Sequence, residues 1–94
     1  MLVAIVDITL KKEKISEFKK WFNDSNRIIE KFDGFISRKL LESSDGTHRI
    51  IVEFENRDLF VSMHQSQEHA KLHDQIGAFM EKPPSRKMYD VIAS

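Results

Sequence analysis

Phe35-Ile36-Ser37-Arg38-Lys39-Leu40-Leu41-Glu42-Ser43-Ser44-Asp45-Gly46-Thr47-His48-Arg49-Ile50-Ile51-Val52-Glu53-Phe54-Glu55, residues 35–55, is the stretch that decides the fold. Ile50, Val52 and Phe54 alternate with Arg49, Ile51 and Glu53, the period of two that belongs to a strand. Ser43-Ser44-Asp45-Gly46 is a turn signal between two such runs. A turn this short joins its strands as an antiparallel hairpin, over residues 35–42 and 47–55. On the N-terminal side, Ile15, Phe18, Trp21, Phe22, Ile28, Ile29 and Phe32 recur at spacings of three and four. They predict a helix over residues 14–32 with one buried face. Asp33-Gly34 ends it, because glycine accepts the left-handed conformation that follows many helices. Before that helix, Leu2, Ala4, Val6, Ile8 and Leu10 alternate as a strand over residues 2–10.

On the C-terminal side, Asn56 is placed to cap a short helix through Asp58, Leu59, Phe60 and Met63. Ser66 is placed to cap a second helix from Gln67 to about Lys82. Pro83-Pro84 stops it, and Lys87 to Ala93 alternates as a last strand. The order is βαββαβ over one domain, residues 1–94. It predicts a ferredoxin-like α+β fold with a four-stranded antiparallel sheet. Right-handed crossovers put the helices on one face of that sheet.

The opposite face should then be polar, yet the alternation does not make it so. Val3 and Ile5 oppose the Leu2/Ala4/Val6/Ile8 side, and Ile51 opposes Ile50/Val52/Phe54. Phe35 and Leu41 alternate against Ile36 and Leu40, and Met88/Ile92 against Tyr89/Val91. Six such side chains left in water would cost on the order of 10 kcal/mol, comparable with the stability of a whole domain. A second copy of the same sheet is the simplest cover, so a homodimer is expected.

Composition narrows the partners. Lys+Arg and Asp+Glu number 15 each, and formal net charge is zero. Nucleic-acid binding ordinarily shows a basic excess, so no nucleic-acid partner is expected. There is no cysteine, which excludes disulfides, thiolate metal sites, iron–sulfur clusters and cysteine nucleophiles. No run approaches the ~20 apolar residues of a membrane span. The apolar start at Met1–Asp7 is too short for a signal peptide and lacks a basic lead. No membrane partner is expected, and the expected location is the cytoplasm. Gly34, Gly46 and Gly77 are isolated, so no phosphate-cradling loop is present.

Four features together carry a family resemblance: the opening strand Val3–Leu10; the Glu17-Phe18…Trp21 helix; Asp33-Gly34-Phe35 entering the second strand; and the segment from Phe54 to Ser66, followed by His69 and His73. On these the chain resembles the antibiotic biosynthesis monooxygenase family, a branch of the dimeric α+β-barrel proteins. The resemblance implies a dimeric α+β barrel with a pocket between sheet and helices in each subunit. It also implies a cofactor-independent, monooxygenase-like protein that acts on or binds a small aromatic or quinol-type metabolite. Relatives in the haem-degrading branch carry an axial histidine on the last helix, where this chain has His73. They carry a tryptophan on the short helix, where it has Met63, and an asparagine on strand one, where it has Val6. Haem is therefore an alternative ligand without the residues of haem degradation, and no tightly bound cofactor is expected.

His69 and His73 stand at i,i+4 on one helix face. Imidazoles so spaced can share a metal, with His64 or Asp90 as a third ligand. A lone His-x-x-x-His does not specify one, and no metal is assigned. A histidine lining an apolar pocket can instead take a proton from a phenol or quinol. His73 and His69 are the candidate catalytic residues. Phe60, Met63 and His64 are the candidate substrate-binding residues, on or beside the short helix that would roof the pocket. Asp7, interrupting an apolar strand, is expected to pair with Arg38, Lys39 or Lys87, or to lie at the dimer seam. The rival to catalysis is a dimeric module that binds a ligand without transforming it.

Overall fold

The computed structural model describes residues 1–94. The chain runs β1 (Leu2–Ile8), α1 (Ile15–Ile29), β2 (Phe35–Glu42), β3 (His48–Phe54), α2 (Arg57–His64), α3 (Gln67–Ile76) and β4 (Ser85–Asp90), with single 3₁₀ turns at Lys12–Lys14 and Gly77–Phe79. The sheet has the order β2-β3-β1-β4, and every pairing is antiparallel. This is the ferredoxin-like α+β arrangement that the hairpin implies. No helix is long and apolar enough to cross a membrane.

The core lies between the sheet and the helices. Leu2, Ala4 and Ile8 of β1 are buried, opposite Phe54, Val52 and the buried His48 of β3. α1 buries Phe18, Phe22, Ser25 and Ile29, one stripe of its surface. Phe18 packs against Trp21 and Phe79 at ring-centroid distances of 5.4 and 5.5 Å. Asn56 accepts the Leu59 N–H at 2.9 Å, and Ser66 Oγ accepts the His69 N–H at 3.1 Å. The two side-chain caps expected from the sequence thus start α2 and α3.

Several boundaries differ from the sequence expectation, and α1 ends at Ile29, short of the expected residue 32. α3 stops at Ile76 instead of running to about Lys82. The chain beyond it pairs with the segment after β1: the Lys11 N–H donates to the Phe79 carbonyl and the Glu81 N–H to the Thr9 carbonyl, both at 2.9 Å. This buries Leu10 and Met80 side by side as an isolated bridge. Leu10 therefore belongs to that bridge and not to β1. β4 begins at Ser85 and ends at Asp90, so Ile92, 95% exposed, lies past the sheet and faces neither layer.

Strand β2 carries a bulge between Phe35 and Ser37. The extra residue turns Phe35 inward beside Phe54, with rings 5.9 Å apart and perpendicular. Arg38 and Leu40 face the helices with it, while Ser37, Lys39 and Leu41 face away. Simple alternation grouped Phe35 with Leu41, and a bulge reverses that grouping. The open face consequently holds fewer apolar residues than expected. Ile5 opposes Ile51 at its centre, with Val3, Leu41 and Tyr89 around them. Polar pairs flank this patch: Ser37 donates to Glu53 at 2.6 Å, and Arg49 to Asp7 at 2.7 Å. The partner of Asp7 is thus Arg49, directly opposite it in the β1–β3 register, and none of the three basic residues that the sequence nominated.

Candidate active site

A cavity of about 340 Å³ lies between the helix-facing side of the sheet and the three helices. Its floor is Ala4 and Val6 of β1 with Ile50 and Val52 of β3, two adjacent cross-strand pairs. Ala4 brings only a methyl to the middle of the sheet, which leaves room above it. Phe60 of α2 and Leu72 of α3 enclose the space from the helix side, and Trp21 of α1 walls it. Trp21 Nε1 donates to Gln75 Oε1 at 2.7 Å, tying α1 to α3 across that wall.

Three imidazoles run along the cavity. His64 and His69 have ring centroids 3.9 Å apart, and His69 and His73 lie 6.4 Å apart. The Ser66 cap sets this row, since it fixes the turn between His64 at the end of α2 and His69 in the first turns of α3. His64 and His69 are half-buried, while His73 is exposed at the rim. Phe60 and Met63 both line the cavity and both are 3% exposed. The structure therefore brings all five sequence candidates to one place. Asp90 is not with them: it pairs with Arg57 at 3.5 Å. No three His, Asp or Glu side chains come together in a way that could hold a metal ion.

Two further residues escaped the sequence reading. Arg38 and Arg86 also line the cavity. Arg38 Nη1 donates to Asn26 Oδ1 at 2.6 Å and to Ser25 Oγ at 2.7 Å, and the guanidinium lies 4.1 Å over the Phe22 ring. The signal for Arg38 was the spacing of Phe35 and Leu40. Both face inward although five residues apart, which requires one extra residue near Ile36, and Arg38 then shares the face of Leu40, two residues on. Arg86 enters from the other edge of the sheet, where it is the register partner of Val6. Its Nη1 donates to His64 Nε2.

The electrostatics follow from this packing. Burial pushes His69 down to about 4, helped by His64, His73, Arg38 and Arg86. Burial and Arg86, then His73, also lower His64. Both rings are neutral at pH 7. Burial lowers Arg38 to about 10, which still leaves it a cation. The neutral His69 has a consequence for stability. Between its unfolded value near 6.5 and about 4, the unfolded chain binds a proton that the folded chain refuses. Stability should therefore fall as pH drops through that window and level off below it. Urea unfolding at a series of pH values checks this. His69→Gln should flatten the slope between pH 6.5 and 4, and an unchanged slope would mean that another group carries it.

A family model described as antibiotic biosynthesis monooxygenase matches residues 1–75, which takes in all three cavity histidines but not Arg86. No curated protein matches the chain. Among solved structures, a protein of Nitrosomonas europaea provisionally named as an antibiotic biosynthesis monooxygenase superposes with a TM-score of 0.85 at 18% identity, covering 99% of this chain and 100% of that one. Rv0793 from Mycobacterium tuberculosis gives 0.85 at 16% identity, over 99% and 96% of the two chains. A point mutant of SnoaB, a cofactor-independent oxygenase from Streptomyces nogalater, gives 0.87 at 14% identity, over 99% and 94%. At these identities the likeness is one of fold.

Proposed function

The chain belongs to the antibiotic biosynthesis monooxygenase family, and from that premise we propose that it is a cofactor-independent, monooxygenase-like protein for a small aromatic, quinol-type metabolite. The observation that carries this reading is the apolar cavity with His69 on its wall. A neutral imidazole there accepts a proton from a ligand hydroxyl. The oxyanion left behind lies near Arg38 and Arg86, whose charges offset it where water is scarce. An electron-rich anion of this kind can itself reduce O₂, which asks of the protein only a positioned base and a shielded site.

One observation favours the second reading, a binding module without turnover. An imidazole held down to about 4 is a weak base, and base catalysis is most effective when the pKa lies near the working pH. Oxygen-electrode assays with anthrones, quinols and flavonoids separate the two. On the catalytic reading, His69→Ala lowers O₂ uptake by about 100-fold or more, the usual weight of a positioned base. Uptake unmoved in both His69→Ala and His73→Ala would remove the histidines as the base, and uptake no faster with the protein than without it would leave only the binding reading.

The protein acts as a homodimer joined through the open sheet face. Leu41 and Tyr89 there are 43% and 44% exposed; Tyr89 stands beside Val3, next to the Ile5–Ile51 pair, and Lys39 and Lys87 flank that pair on the outer strands, an apolar strip inside a polar frame. Light scattering should give twice the 11.0 kDa chain mass. A monomer at micromolar concentration would remove this part of the proposal.

A further inference from the structure

We propose that the cavity selects ligands with an anionic oxygen head on a flat aromatic body, the body on the apolar floor and the head drawn to the arginines at its edges, Arg38 and Arg86. This rests on the cavity being the ligand site of the proposed function, and it adds the charge of the ligand to that reading.

The chain holds equal numbers of acidic and basic residues, yet no Asp or Glu lines the cavity, while two arginines and three histidines do. Elsewhere in the fold, Arg49 and Arg57 each meet a carboxylate, Asp7 and Asp90. Neither Arg38 nor Arg86 does. Arg38 directs its hydrogen bonds to the protein through Nη1 alone, so its Nε and Nη2 donors remain free.

A half-buried cation without a counter-charge is unfavourable. Native proteins keep such a group where a ligand supplies the missing charge. Arg38 is also rigidly held. Ser25, Asn26 and the Phe22 ring fix its plane, and a guanidinium fixed in this way is set to grip a carboxylate through two parallel N–H bonds or to donate to the single oxygen of a phenolate.

The geometry places the two cations at opposite ends of one floor. Arg38 opposes Val52 across the β2–β3 pairing, Val52 opposes Ala4, and Val6 opposes both Ile50 and Arg86. Small and β-branched side chains thus form a flat apolar strip with a cation at each edge. Such a strip receives an arene in its plane, and its edges receive a charged substituent. His64 and His69, both neutral before binding, contribute hydrogen-bonding nitrogens without adding positive charge to the site. His73 stands at the rim. These five groups are all the titratable side chains on the cavity wall.

Calorimetric titration of the whole protein at neutral pH tests the proposal with three probes: 2-naphthoate, the neutral isostere 2-naphthamide, and 4-nitrophenol, whose yellow phenolate reports its own ionisation. A charge-assisted contact predicts about 10- to 100-fold tighter binding of naphthoate than of naphthamide. Arg86→Gln, at an exposed strand edge, should erase most of that preference while leaving naphthamide binding in place. Arg38→Met should do the same, and Arg86→Gln alone suffices if Arg38→Met does not fold. A fall in the apparent pKa of bound 4-nitrophenol would make an ionised hydroxyl the source of the anion. Naphthoate preference without that fall would make it a carboxylate. Equal binding of naphthoate and naphthamide, with the ionisation of nitrophenol unmoved, overturns the anion preference alone. No saturable binding of any probe overturns both that preference and the cavity as a ligand site.

Discussion

Phe54→Ala should cost the fold about 3–5 kcal/mol, the range for removing a fully buried phenylalanine. Phe54 is 0% exposed at the end of β3. Its ring meets Phe35 at 5.9 Å and Phe60 at 5.5 Å, each nearly edge-on. Leu2 lies opposite it in the sheet and is equally buried. No side chain nearby can close the gap without moving a strand or α2, so the cavity term should fall in the upper part of that range. A small domain has only about 5–15 kcal/mol in total. The variant should therefore unfold at a urea midpoint lower by roughly 2 M, given slopes of about 1–3 kcal/mol per molar. It should also bind aromatic probes poorly while still folded, because Phe60 takes its position from Phe54. A midpoint within a few tenths of a molar of the parent would show that the layer between β3 and α2 is loose, and the account of the site would fail with it.

Gly34→Ala is the second large effect, at about 2–5 kcal/mol. Two costs combine. Gly34 sits at φ +85°, where any Cβ is disfavoured by about 1–2 kcal/mol. A methyl built there would also lie 2.6 Å from Leu59 Cδ1 and 2.9 Å from Leu59 Cβ. The Cβ is carried by the α2 backbone and cannot rotate away, so α2 must shift, an overpacking cost of about 1–3 kcal/mol. α2 carries Phe60, Met63 and His64, so the displacement reaches the cavity roof. Gly46→Ala provides the comparison. Its φ is +86° but nothing lies within 4 Å of the added methyl, so only the ~1–2 kcal/mol backbone cost should remain. Thermal melts of the two variants side by side measure the difference. If they lost stability equally, close approach to Leu59 would play no part and Gly34 would be a turn residue only.

Local chemistry explains why some of this architecture was legible in the sequence. The hairpin, the order of elements and both side-chain caps rest on near neighbours: a turn tetrad, an alternation, an Asn or Ser ahead of a helix. β2 was bounded correctly for that reason. What escaped depended on distant strands. The early end of α3 is set by backbone pairing with Thr9 and Lys11, some seventy residues earlier in the chain, and no local propensity encodes it. The partner of Asp7 depended on β1 lying beside β3, which makes Arg49 its neighbour. The site divided along the same line. Histidines and aromatics on α2 and α3 share one helical surface, so spacing alone could group them. Arg38 and Arg86 come from the two outer strands, and the bulge beside Ile36 hides which alternate residues of β2 face inward.

Trp21 is the single tryptophan of the chain, and it stands on the cavity wall with its indole N–H anchored to Gln75. Its near-ultraviolet emission therefore comes from one place, beside any arene that enters. Quenching or energy transfer at that chromophore reads occupancy directly, with no label and no turnover required. The molecule carries its own optical gauge for whatever enters that cavity.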